Sequence, residues 1–186
     1  YKLNDLASGK EVSSSRYLVV SEGNSSVAVS SLTQLDPRKV NGVLPLDGTS
    51  LVWGEGSNVG QALGSENSVS FLSKIDTAGN LLANQVIESL SGQKALIEDC
   101  IATSDGNFLL VGKYSGTLSY GKYRFAAKGT ENAFILKTNS SLDLLWSNTF
   151  SCSGKIGKLR VCSFQSDSVL LGGSFSSDLV TDAGTF

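Results

Sequence analysis

Apolar residues in this chain come in short runs, broken at regular intervals by Gly, Asp, Asn and Ser. Before the pair Asp105-Gly106 stands Cys100-Ile101-Ala102-Thr103; after it comes the nearly unbroken run Phe108-Leu109-Leu110-Val111. The same order surrounds Asp47-Gly48, with Leu51-Val52-Trp53 following. An Asp-Gly pair between two apolar runs predicts a tight hairpin, and a continuous apolar run predicts a strand covered on both faces. A third strand is expected from Asn132 to Thr138, ending at Asn139-Ser140-Ser141, and a fourth from Leu144 to Phe150, carrying Trp146. Apolar spacing of three and four residues is nowhere sustained, so no long helix is expected. Asn84 to Leu90 is the one stretch that could take a helical turn.

These blocks recur. The run from Asn41 to Gly54 aligns without gaps with Asp99 to Gly112, so that Asp47-Gly48 falls on Asp105-Gly106 and Gly54 on Gly112. A third copy, Ser168-Val169-Leu170-Leu171-Gly172-Gly173-Ser174-Phe175-Ser176, follows the pattern of Asn107 to Ser115. Gly64-Ser65-Glu66-Asn67-Ser68 matches Gly129-Thr130-Glu131-Asn132-Ala133, and Phe71 to Asp76 matches Phe134 to Asn139 after a two-residue slip. The period is roughly 60 residues, which is the sequence signature of a repeat architecture. Four strands per period suit propeller blades, since a lone blade cannot bury both of its faces; one long meander folded as a β-sandwich is the alternative. The expected division is a partial blade over 1–37, blades over 38–95 and 96–156, and a partial blade over 157–186, all in one domain or part of a larger one.

Composition narrows the chemistry. The chain has 186 residues, 15 Lys+Arg against 17 Asp+Glu, a formal charge of −2 and only 17% charged residues. Ordinary soluble domains carry about 25%, so Ser and Gly must cover much of the water-facing surface. A near-neutral balance without basic clusters argues against a nucleic-acid partner. No apolar run is long enough to cross a membrane as a helix. The chain contains no His, which removes Ser-His-Asp and Cys-His nucleophile pairs and His-ligated metal sites. It also lacks Met and begins at Tyr1, as expected of a processed chain or a piece of a larger one.

The block Tyr114-Ser115-Gly116-Thr117-Leu118-Ser119-Tyr120-Gly121, then Gly129-Thr130-Glu131-Asn132-Ala133-Phe134-Ile135-Leu136-Lys137 and Leu145-Trp146, resembles the bacterial-type β-propeller repeats (SBBP-like) of secreted and cell-surface proteins. The resemblance covers most of residues 38–186. It departs at Asn132, where those repeats usually carry Asp, at Ala83, where they carry Trp, and at Leu142-Asp143, where they carry Gly-Asn. It implies a blade architecture and an extracellular setting, and it brings no catalytic residues.

Candidate sites are few. Cys100, Cys152 and Cys162 cannot all pair: either one disulfide leaves a spare thiol, or all three are free. Cys100 and Cys162 lie in apolar strand runs and read as buried packing residues, while Cys152, beside Gly154, reads as exposed or bridged. Asn24-Ser25-Ser26 and Asn139-Ser140-Ser141 are glycosylation acceptors by pattern, Asn139 the stronger because it falls at a turn. No calcium-loop pattern is present. Glu98 and Asp99 are sequence neighbours on a strand and should face opposite ways, so they make no carboxylate pair. Trp146, on an outer strand, is the aromatic to test for ligand contact. The expectation is therefore a non-catalytic structural or interaction module, secreted or surface-displayed, without cofactor or metal. Its partners would be other protein chains or further blades completing a ring; a carbohydrate-binding module is the alternative, with glycans as its ligand.

Overall fold

The computed structural model describes residues 17–20, 26–29, 35–58, 69–90, 94–164, 168–181 and 184–185. Asn24 and the block 64–68 lie outside them. Among the described residues the protein is all-β, with every strand pair antiparallel and no helix.

A short hairpin pairs β1 (Tyr17–Val20) with β2 (Ser26–Val29). The first complete unit is a meander of β3 (Leu35–Leu46), β4 (Thr49–Asn58), β5 (Val69–Asp76) and β6 (Leu81–Ser89), each paired with the next. The second unit runs through β7 (Ala95–Ala102), β8 (Phe108–Tyr114), β11 (Glu131–Thr138) and β12 (Leu144–Cys152). A third begins with the hairpin β13 (Arg160–Phe164) and β14 (Ser168–Gly172). The stretch considered for a helical turn lies almost wholly in β6; cross-strand pairing with β5 overrides its weak helical spacing.

The expectation of four strands per sheet needs correcting. Between β8 and β11 the chain makes a further hairpin, β9 (Thr117–Tyr120) and β10 (Tyr123–Ala126), which leaves its own unit. It pairs with the last strand of the preceding unit, Ile87 opposite Tyr120 and Ser89 opposite Leu118. The pattern recurs: β15 (Leu179–Thr181) and β16 (Gly184–Thr185) follow β14 and extend the second sheet, with Cys152 opposite Leu179. The two large sheets are therefore six-stranded, in the orders β10-β9-β6-β5-β4-β3 and β16-β15-β12-β11-β8-β7. Alternating Thr117-Leu118-Ser119-Tyr120 ahead of a two-residue Gly121-Lys122 loop is the local reason for the extra hairpin.

Strand periodicity turns each apolar run into two packing faces. In β8, Phe108 and Leu110 join one core with Leu51, Trp53 and Leu72 of the first sheet. Leu109 and Val111 point the other way, into a second core with Ile156, Leu159 and Val161 of the third unit. All four β8 residues are at most 2% exposed. In β5, Val69, Phe71 and Ile75 form a third core on the far side of the first sheet. The layers thus stack in series, and the inner strands β8 and β11 of the second sheet are buried on both faces.

Repeat-equivalent glycines have equivalent surroundings. A Cβ on Gly54 would collide with the Lys39 carbonyl and press on the Phe71 ring; one on Gly112 would collide with the Leu96 carbonyl and the Phe134 ring. The strand register also corrects the gapless alignment. In the first unit Asp47-Gly48 alone links Leu46 to Thr49. In the second, Thr103 N–H donates to Asn107 C=O at 2.9 Å across three loop residues, Ser104-Asp105-Gly106. The additional residue shifts β7 by one relative to β3.

Candidate functional site

Polar chemistry in the described residues concentrates where the third unit docks on the second. A bulge in β7 shifts the register between Ile97 and Asp99, placing Ile97 opposite Gly112 and Asp99 opposite Val111. Glu98 and Asp99 consequently do not diverge, as simple alternation would require. Both serve the next unit: Glu98 Oε2 accepts the Leu159 N–H at 3.0 Å, and Asp99 Oδ2 accepts the Val161 N–H at 3.1 Å. Glu98 Oε1 lies 3.1 Å from Lys113 Nζ, which also donates to the Ile156 carbonyl at 3.1 Å. Glu131 accepts the Ile156 N–H. Three carboxylates and one ammonium thus hold the backbone of the incoming chain. That arrangement tethers a strand, and both oxygens of Glu98 and of Asp99 are occupied.

The junction between the first and second units is different. At its centre is a buried hydroxyl: Ser70 Oγ donates to the Ala95 carbonyl at 2.9 Å and accepts the Ile97 N–H at 3.2 Å. Around it the packing is largely apolar, with Tyr114 and Phe134 rings 6.3 Å apart and tilted by 46°, while at an exposed margin Lys74 Nζ donates to the Ser140 carbonyl at 3.4 Å. Tyr120 reaches from the transferred hairpin and donates to the Leu142 carbonyl at 2.6 Å. Burial raises the pKa of the Tyr120 hydroxyl and of the Cys100 thiol, with weaker contributions from neighbouring negative charge.

Two turns show matched construction. Asp76 Oδ1 accepts the N–H groups of Ala78 and Asn80, and Asn80 Nδ2 donates to Asp76 Oδ2. In the second unit Asn139 takes the first position and Asp143 the last, with the same two backbone bonds and the side-chain bond reversed, Asn139 Nδ2 donating to Asp143 Oδ2. Hydrogen bonds to Asn80 hold the Asp76 carboxyl below the usual range. Leu142 occupies, at φ 68°, the left-handed position that Gly79 fills in the first unit at φ 83°. Asn139 therefore sits at a turn as expected, half-buried, its amide already engaged by Asp143. Asp105 lies in the other exposed turn, where Lys137 Nζ at 2.6 Å, then Thr103 and Asn107, depress its pKa strongly.

The remaining candidates are dispersed. All three cysteines are free. Cys100 is buried, as expected of a strand residue. Cys152 is also buried, against expectation, because β15 and the segment around Ser177 cover it; Sγ lies 3.3 Å from Ser177 Oγ, a contact that lowers the thiol pKa. Cys162 is exposed, again against expectation, since it shares with Leu170 the uncovered face of β13–β14. Trp146 is 40% exposed on β12 beside exposed Leu145, paired with Lys137 of β11. A small polar cavity of about 20 Å³, room for about one water, is lined by Lys128, Asn132, Thr149, Ser151, Val180 and Thr181. Asn132, the departure from Asp, is buried and uses both ends of its amide: Oδ1 accepts the Lys128 and Gly129 N–H groups, and Nδ2 donates to the Gly129 carbonyl. A carboxylate could not make the last bond.

Among the described residues no group of three or more Cys, Asp or Glu is placed to hold a metal ion, and no helix is long and apolar enough to cross a membrane. The inter-unit carboxylates and the transferred hairpin went unrecognised in the sequence. The hairpin left a readable mark in Gly121-Lys122; the bulge that turns Glu98 and Asp99 together left none. No family model, curated protein or solved structure matches this chain.

Proposed function

We propose that this chain is a non-catalytic structural and interaction module, built of β-propeller-type blades and working in a secreted or surface-displayed protein. The observation that carries the proposal is the serial stacking of sheets, each extended by a hairpin from the next unit. The inner strands β8 and β11 of the second sheet are buried on both faces, as in a blade; a sandwich sheet commonly leaves one face to solvent. The polar groups at the second junction are spent on holding backbone, which favours scaffold over catalyst. Recognition would fall to edges and uncovered faces, the usual working surfaces of repeat proteins. The extracellular setting rests on the resemblance of the repeat, and Asn139 is the position where a glycan would be looked for. The test is electron-microscopic imaging of the purified protein together with its mass in solution. Disc-shaped particles in which stacked sheets close on themselves support the reading; an isolated, monomeric slab of sheets refutes it.

A further inference from the structure

Among the described residues the third unit contributes two paired strands, and the repeat itself defines what the edge of the second fits. Leu51, Leu109 and Leu170 are equivalent positions, yet the first two are 0% and 1% exposed and the third is 61% exposed. Tyr114 is 1% exposed, while its counterpart Phe175 is 47% exposed. The counterpart assignment is structural: Ala95 pairs with Tyr114 as Ile156 bridges to Phe175. In the complete units the free side of β4 is filled by β5 and that of β8 by β11. Among the described residues nothing fills that side of β14.

Both filling strands read Phe-x-x-Lys, in one register. Phe71 lies opposite Gly54 and Phe134 opposite Gly112; Lys74 lies opposite Leu51 and Lys137 opposite Leu109. The glycine makes room for the phenylalanine ring. Gly173 is the equivalent position, and its Cβ direction approaches the Lys158 carbonyl, as Gly54 approaches Lys39 and Gly112 approaches Leu96. A methyl of Leu159 now lies over Gly173, where the other two units hold a ring. Phe175 stands alongside, as Tyr114 stands beside Phe134.

We infer that the β14 edge is a strand-acceptor site for an antiparallel Phe-x-x-Lys strand of the same repeat type, with its Phe set at Gly173 beside Phe175 and its Lys across from Leu170. This rests on the blade reading above and goes further by giving the partner's sequence chemistry and register. Binding is β-augmentation: the ladder supplies hydrogen bonds, and the glycine-aromatic cradle supplies selectivity. The incoming ring displaces the Leu159 methyl, a small rearrangement of a flexible side chain.

The experiment uses the 186-residue chain and a labelled synthetic peptide with the sequence of residues 130–139. Fluorescence anisotropy is expected to show saturable binding, and hydrogen exchange to show slowed amides over 168–173. Replacing the peptide's Phe by Ala should weaken binding at least tenfold, and a scrambled peptide should not bind. Leu170 is exposed, so substitutions there leave the fold intact and report on register. Leu170→Lys sets like charges opposite each other and should weaken binding, whereas Leu170→Glu should retain or strengthen it. Lack of saturable binding, protection elsewhere, or equal effects of Leu170→Lys and Leu170→Glu would overturn the site. So would concentration-dependent self-association that protects 168–173 without peptide, since the occupant would then be a second copy. Disc-shaped particles without peptide binding reject this site alone; peptide binding by slab-like particles rejects the blade reading alone.

Discussion

The two junctions of this molecule solve the same problem with different chemistry. Between the first and second units, aromatic and aliphatic side chains from two sheets interlock around the buried hydroxyls of Ser70 and Tyr120. Between the second and third, a smaller apolar cluster lies among the described residues, and charged side chains also grip the backbone of residues 156–161. The difference follows from what each side can offer. At the first junction the side chains of both units interlock, whereas at the second the N–H groups of Ile156, Leu159 and Val161 find their acceptors in fixed carboxylates of the second unit.

Substitutions at matched places should separate the two modes. The largest effect is expected for Phe134→Ala, which empties a fully buried ring from the first junction; about 3–5 kcal/mol of stability should be lost, read as a lower urea midpoint for the whole protein. Glu98→Ala comes next. It leaves the Lys113 ammonium and the Leu159 N–H without their acceptor, at about 1–3 kcal/mol. Hydrogen exchange should localise the loss to residues 156–164 and leave β3–β6 protected. Global loosening after Glu98→Ala would mean that the junctions are not separable.

Alkali should act on the first junction, which holds both Cys100 and Tyr120. Their folded pKa values are raised above 9.0 and 10.0, so the unfolded chain releases these protons first. The stability they confer is complete below those values and declines as pH rises through them. Amides of β7 and β9 should therefore lose protection above about pH 9–10 before those of β13, and Tyr120→Phe should reduce the effect. The smallest change is expected for Leu170→Ala, within about 0.5 kcal/mol in a thermal melt, whereas Leu109→Ala at the equivalent buried position should cost about 2–5 kcal/mol.

Much of this organisation was legible in the residues. The unbroken run Phe108 to Val111 implied a strand packed on both faces, and the match of Gly54 with Gly112 marked positions with the same neighbours. Leu179, matched in sequence to Leu118, also takes the matching place beside Cys152. What escaped notice depends on long-range pairing. Leu118 and Tyr120 look like any amphipathic strand, and nothing local says that their partner is Ile87 rather than a neighbour in their own unit. The burial of Cys152 and the exposure of Cys162 likewise depend on which distant segment covers them. The bulge at Glu98 is fixed by the β8 register, which no count of alternating residues contains.

Cross-strand oxidation is the most direct test of the transferred hairpin. Glu88 and Ser119 are paired Cα partners, and antiparallel partners lie about 4.5–5.5 Å apart, within reach of a disulfide. In the protein carrying Glu88→Cys together with Ser119→Cys, mild oxidation of the folded state should link the two positions within one chain, as mapped by peptide mass spectrometry. If the link forms only after unfolding, or only between different chains, the hairpin does not complete the preceding sheet and the account fails.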